Sequence, residues 1–172
     1  MHIEHNRVTY TGQALQQGAR QMLSEYRFTH WLTLNFHQHF CPEKAKRFLK
    51  LWTMNVQRRM FRPGRTMTID ENPFLFFAFP EDTKKAEPHF HLMVRLAKSH
   101  YDYFERLAAP IWKKLVPSGT AYLLLIGDTD KDHRDVAEYA TKQFNRSCSH
   151  NEFFTSTMLV DPVCLDVARE VA

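Results

Sequence analysis

A chain of 172 residues, 44% hydrophobic and 13% aromatic, is long enough for one domain with a real core and too apolar for a disordered polypeptide. Its formal net charge of +4 and pI near 9.0 suit a polyanionic partner. No apolar run approaches the roughly 18 residues of a membrane span, the stretch Met1 to Arg7 lacks an apolar signal-peptide core, and Cys41, Cys148 and Cys164 form no C-x-x-C pair; a cytoplasmic protein with reduced thiols and no membrane partner is expected.

In chain order, residues 1 to 12 are polar, and Gln13 to Tyr26 places Leu15, Ala19, Met22, Leu23 and Tyr26 at helical spacing. Phe28 to Phe36 alternates, with Leu32, Leu34 and Phe36 on one side and Trp31, Thr33 and Asn35 on the other, which predicts a half-polar strand. Pro42 can open a helix, because its missing N–H would be unpaired there anyway. Ala45, Phe48, Leu49, Trp52, Val56 and Met60 then form one stripe, and Pro63-Gly64 ends it. Arg58, Arg59, Arg62 and Arg65 cluster where that helix ends; they suit phosphate contact, with a solvated surface as the plain alternative.

Phe74 to Phe79 is apolar on both faces, as in a central strand. Pro88 to Leu96 follows, with Phe90, Leu92, Val94 and Leu96 facing one way and His89, His91, Met93 and Arg95 the other. A helix would spread the two histidines about 200° apart. Paired as a hairpin with Glu81 near His89, the two strands would put Glu81, His89 and His91 on one face; Glu87 is the competing carboxylate. A helix is expected from about Ser99 to Leu115 with Pro110 as a kink, then a strand over Ala121 to Ile126. Asp128 to Asp132 caps a further helix that points Val136, Ala137, Ala140 and Phe144 inward and makes Tyr139 and Lys142 neighbours. Met158 to Val160 reads as an edge strand.

The fold class is therefore α+β: a single domain over 1–172 with an antiparallel sheet, helices on one face and the other face open, like an RNA-recognition-motif or ferredoxin-like core. A first strand at Trp31 to Phe36, then His89-Phe90-His91, then Tyr139-Ala140-Thr141-Lys142 resembles the HUH endonucleases, specifically single-tyrosine rolling-circle replication initiators, over about residues 28 to 146. The resemblance implies that His89 and His91 bind a divalent metal with Glu81 as third ligand. It further implies that Tyr139 attacks DNA to leave a 5′-phosphotyrosine and a free 3′-hydroxyl, with Lys142 assisting. Single-stranded DNA at an origin or hairpin is the implied partner, contacted by Trp31, Asn35, Arg95 and the arginine cluster; a monomer working with a host helicase is the corresponding expectation.

The chemistry stands beside the family. Two imidazoles and a carboxylate leave positions free on Mg²⁺ or Mn²⁺, and the nitrogen donors favour Mn²⁺. A tyrosine with a reference pKa of about 10 is only about a thousandth ionised at pH 7, so a neighbouring ammonium and metal must favour the phenolate. His37-Gln38-His39 is a rival His-x-His, and Trp31 fits either the core or a base-stacking role. A transposase of the same chemistry and a non-catalytic nucleic-acid-binding module are the alternative functions.

Overall fold

Alternation and apolar runs assemble one antiparallel sheet in a computed structural model that describes residues 12–61, 74–82, 88–142 and 153–159. The elements are α1 (Gly12–Ser24), β1 (His30–Asn35), α2 (Pro42–Met60), β2 (Phe74–Asp82), β3 (Pro88–Leu96), α3 (Tyr101–Leu115), β4 (Thr120–Leu125), α4 (Asp130–Ala140), β5 (Phe154–Thr155) and α5 (Ser156–Leu159). The strand order is β4-β1-β3-β2-β5, and every neighbouring pair is antiparallel. The fold is α+β. No helix among the described residues is long and apolar enough to cross a membrane.

The larger core lies between the sheet and α2 and α3. Leu32, Leu34, Phe76, Phe90, Leu92 and Val94 face Leu49, Trp52, Val56, Phe104, Ile111 and Trp112, all buried. The Trp52 indole donates to the Ala108 carbonyl at 3.0 Å, so the largest buried ring leaves no orphaned N–H. α3 runs through Pro110, which is exposed.

The opposite face is only partly open. Leu75, Phe77, Phe79 and Met93 emerge there and are covered by Leu23 of α1, Phe28, and Ala137 and Ala140 of α4. Leaving such side chains in water would cost roughly 1.5–3 kcal/mol each, which is why these two helices fold back over β2 and β3. α1 is tied to the end of α4: Gln16 Nε2 donates to the Thr141 carbonyl at 3.0 Å, and Arg20 pairs with Glu138 at 3.2 Å. Phe144 lies outside the described residues.

Thr129 caps α4 in a reciprocal capping box with Asp132. At the far edge the expected strand at Met158 to Val160 is replaced. β5 pairs with Phe77 and Ala78, whereas Met158 and Leu159 are helical, and Val160 lies outside the described residues. The physical reason is a local cap joined to a long-range tie: Thr155 Oγ1 accepts from the Met158 amide at 3.3 Å, and Ser156 Oγ accepts from the Phe76 amide of β2 at 3.3 Å, so the chain turns after two strand residues.

Gly119 packs against the end of β1. A Cβ there would lie 2.6 Å from the Asn35 carbonyl oxygen and 2.7 Å from Trp112 Nε1, which itself donates to that oxygen at 3.0 Å. Gly119→Ala is expected to lower stability by about 1–3 kcal/mol in a denaturant titration. Gly18→Ala, on the exposed side of α1 with nothing within 4 Å, is expected to raise it by up to about 1 kcal/mol.

Candidate metal centre and its neighbouring tyrosine

The strand registers turn one face of the sheet into a grid. Glu81 is opposite His89, which is opposite Asn35, which is opposite Thr120; one row along, His91 is opposite Thr33, which is opposite Tyr122. β2 supplies the carboxylate, β3 both imidazoles and β1 the groups beside them.

Three nitrogens converge on one oxygen. Glu81 Oε2 lies 3.0 Å from His91 Nε2, 3.5 Å from His89 Nε2 and 3.0 Å from Lys142 Nζ, and the two His Nε2 atoms are 3.2 Å apart. Among the described residues, Glu81, His89 and His91 form a group that could hold a metal ion. Metal–ligand bonds of about 2.1 Å put donors about 3.0 Å apart at right angles and about 3.4 Å apart in a tetrahedron, so the three donors already have a metal's ligand spacing. Glu87 lies outside the described residues. His37 and His39 are exposed, and His37 Nε2 instead meets Thr120 Oγ1 at 2.8 Å, held by a left-handed backbone with φ 53°.

The protonation states suit ligation. Burial, then the charge of His89, pushes the His91 pKa down to about 4 against the opposing pull of Glu81, so its imidazole is neutral at ordinary pH. Burial alone would raise the Glu81 carboxyl, but the hydrogen bond and charge of Lys142, then the two histidines, outweigh it and hold it below its usual value. Burial opposes the charge of Lys142 in turn, yet its contacts with Tyr139 and Glu81 raise its pKa above that of an ordinary lysine.

Thr33 is the residue that sequence reasoning missed. Its Oγ1 lies 3.0 Å from His91 Nδ1 and accepts from the Trp31 indole at 3.2 Å. A hydroxyl can give its hydrogen to Nδ1 while Nε2–H faces Glu81, or accept from Nδ1–H when Nε2 offers its lone pair to a cation. Its only signal was its polar position on β1, because the register against His91 is a long-range property.

Tyr139 and Lys142 come to the same place. The Tyr139 ring stands edge-on to Trp31 and to His91, each at 5.4 Å between centroids, and the residue is 48% exposed. Lys142 Nζ lies 3.7 Å from the centre of that ring. Trp31 is half-buried and stacks on His91 at 4.9 Å. Asn35 Nδ2 donates to Thr120 Oγ1 at 3.4 Å, and Arg95 shares the His face with its guanidinium 5.5 Å from the Tyr26 ring centre. The structure does not bring Arg58 and Arg59 to this cluster: they are exposed at the end of α2, in the layer behind the sheet. Arg62 and Arg65 lie outside the described residues.

Two measurements follow. Thr33→Val keeps the shape of the side chain but removes the partner of His91 Nδ1; if the cluster takes a divalent metal, the variant is expected to weaken that binding about 10- to 100-fold in a calorimetric titration while the fold persists. The second is a pH profile of the ion-free protein. An unfolded His91 takes a proton near 6.5, its ordinary value, but the folded one only near 4, so acidification across that window favours unfolding, by as much as about 3 kcal/mol. The lowered pKa of Glu81 extends the loss below 4.5. His91→Gln is expected to flatten the decline between pH 6.5 and 4.5; buried His30, whose pKa burial also lowers, supplies slope that remains.

No family model matches this chain, and no curated protein or solved structure matches it.

Proposed function

We propose that this protein is a divalent-metal-dependent enzyme that nicks and joins single-stranded DNA, with Tyr139 as nucleophile, in the manner of the HUH single-tyrosine replication initiators. The observation that carries the reading is the meeting of an exposed phenol, an ammonium and a three-donor metal cluster on one sheet face, with the ring of Tyr139 against His91 and Lys142 Nζ 3.7 Å from its centre. The β4-β1-β3-β2 strand order, with one helical crossover in each half, agrees with such a core.

Glu81, His89 and His91 would hold the ion, with Mn²⁺ or Mg²⁺ the candidates. When bound, it polarises a phosphate oxygen and stabilises the charge that develops there. Tyr139 supplies the attacking oxygen: its O–P bond forms as the bond from phosphorus to the DNA 3′-oxygen breaks, and the phenolic proton ends on that 3′-oxygen. The number of phosphate ester bonds is unchanged, so attack by a 3′-hydroxyl reverses the step and joins strands without ATP. Lys142 keeps its charge beside the phenol and favours the phenolate as attacking or leaving group. Trp31 and Asn35 line the approach of the strand.

A second reading has one observation in its favour. The Lys142–Glu81 ion pair at 3.0 Å satisfies the carboxylate internally, as a purely structural polar cluster would, which fits a non-catalytic nucleic-acid-binding module.

Incubation with circular single-stranded DNA and Mn²⁺ separates the two. Protein covalently attached to a 5′ end is expected, with the phosphonucleotide mapped to Tyr139 by mass spectrometry. Tyr139→Phe should abolish the adduct with metal and DNA affinity retained; His89→Ala and His91→Ala should abolish it through loss of the ion, and His37→Ala should leave most of it. Lys142→Ala is expected to slow adduct formation about 10²- to 10³-fold. An adduct on another tyrosine, or cleavage that survives in both histidine variants, removes the assignment.

A further inference from the structure

α1 and α4 cover the β2 and β3 side of the His-bearing face and leave the β4 side bare. There Tyr122 is 59% exposed and Leu124 47% exposed, although both project from a regular strand onto the face that carries the metal cluster. By register, Tyr122 neighbours Thr33, and Thr33 neighbours His91. At about 4.8 Å between strands, the Tyr122 ring is based roughly 10 Å from the ligand strand. Leu124 neighbours Trp31 in the same way, so an apolar strip runs unbroken from the sheet edge to the rings around Tyr139.

Beside this strip lies a row of hydrogen-bonding groups. Asn35 Nδ2 and His37 Nε2 both meet Thr120 Oγ1, at 3.4 and 2.8 Å, in an exposed cluster. A flat π surface next to an amide and a hydroxyl is what an unstacked base requires, because its face needs an aromatic and its edge needs donors and acceptors. A strip bordered along one side by exposed donors and acceptors offers a base both a face and an edge, whereas the centre of a protein interface is more uniformly apolar.

We propose that Tyr122 is a positioning residue on which one base of the bound single strand stacks, with Asn35 and Thr120 at that base's edge, so that it sets which phosphate reaches Tyr139. This rests on the single-stranded-DNA reading and extends it to a residue on β4.

The test needs no cleavage. Fluorescence anisotropy compares a labelled 15-nucleotide oligothymidylate with an abasic strand of the same length. The wild-type protein should prefer the strand that carries bases, and Tyr122→Ala should shrink that preference by about tenfold, as loss of one base–aromatic stack does. Tyr122→Phe should preserve it, and Leu125→Ala, exposed on the α3 side of β4, should leave it unchanged. An unchanged preference in Tyr122→Ala, or one lost equally in Tyr122→Phe, overturns the platform. Sedimentation velocity covers the remaining occupant: if Tyr122→Ala splits a dimer without altering base preference, the strip is an interface between copies and the proposal fails. A Tyr139 adduct together with an unchanged base preference in Tyr122→Ala defeats the platform alone. Base preference that depends on Tyr122 without any adduct defeats the nicking reading alone.

Discussion

Antiparallel pairing of β3 with both of its neighbours places Glu81 opposite His89 and Thr33 opposite His91. A slip of one residue would turn every side chain of β3 to the other face, sending both imidazoles into the α2–α3 core. Phe90, Leu92 and Val94 prevent it, since all three are buried on the helix side. Exposing three such side chains would cost about 5–9 kcal/mol, comparable with the whole stability of an ordinary domain. The polar cluster thus takes its geometry from apolar burial on the reverse of the same strand, and its own hydrogen bonds need only refine it.

The second determinant is α4. Ala137 and Ala140 are its buried contacts with the sheet, and their small side chains let the helix backbone lie close. Tyr139, between them in sequence, therefore reaches the edge of the cluster instead of standing away from it. Lys142 follows the helix end, where Thr141 is held by its own bond to the Ala137 carbonyl at 2.8 Å and by Gln16 and Arg20 from α1. Through Thr141, α1 is tied to the helix end that Lys142 follows.

Much of this was legible from local pattern. The period-two alternation around His89 and His91 has one solution on a half-buried strand, and the short connection from Phe79 to Pro88 brings Glu81 back to His89. Other features were not local. The apolar faces of Leu75, Phe77 and Phe79 implied a cover, but which helix supplied it depends on the whole chain path; the polar alternation of Trp31, Thr33 and Asn35 pointed to an open face that survives only towards β4. The stripe of α2 showed which side of the helix is buried without showing which side of the sheet the helix takes, so nothing local revealed that Arg58 and Arg59, read as candidate phosphate contacts, sit in the layer behind the Glu81–His89–His91 face. Thr33 and Tyr122 acquire meaning only from the β1–β3 and β1–β4 registers. At the tail, Met158 and Leu159 are helical where strand was read, with the Met158 amide held by Thr155 Oγ1.

Charge explains why a lysine belongs in a cluster otherwise shaped for a cation. Glu81 is ionised, held so by Lys142 against burial, and Lys142 is protonated, held so by Tyr139 and Glu81, while His91 stays neutral because burial and His89 disfavour its proton. The carboxylate and the ammonium therefore cancel, and a dication in the cluster would keep its full charge for whatever approaches. In the proposed reaction the approaching groups are a phosphodiester and a phenolate, each with one negative charge, so the assembled site would be neutral. Without Lys142 the same assembly would be left with one uncompensated negative charge in a partly buried place, where such a charge costs far more than in water. In the proposed reaction, attack would then be slower. In that reaction the cation beside the phenol would act through the site's net charge as well as through its own contact with the ring.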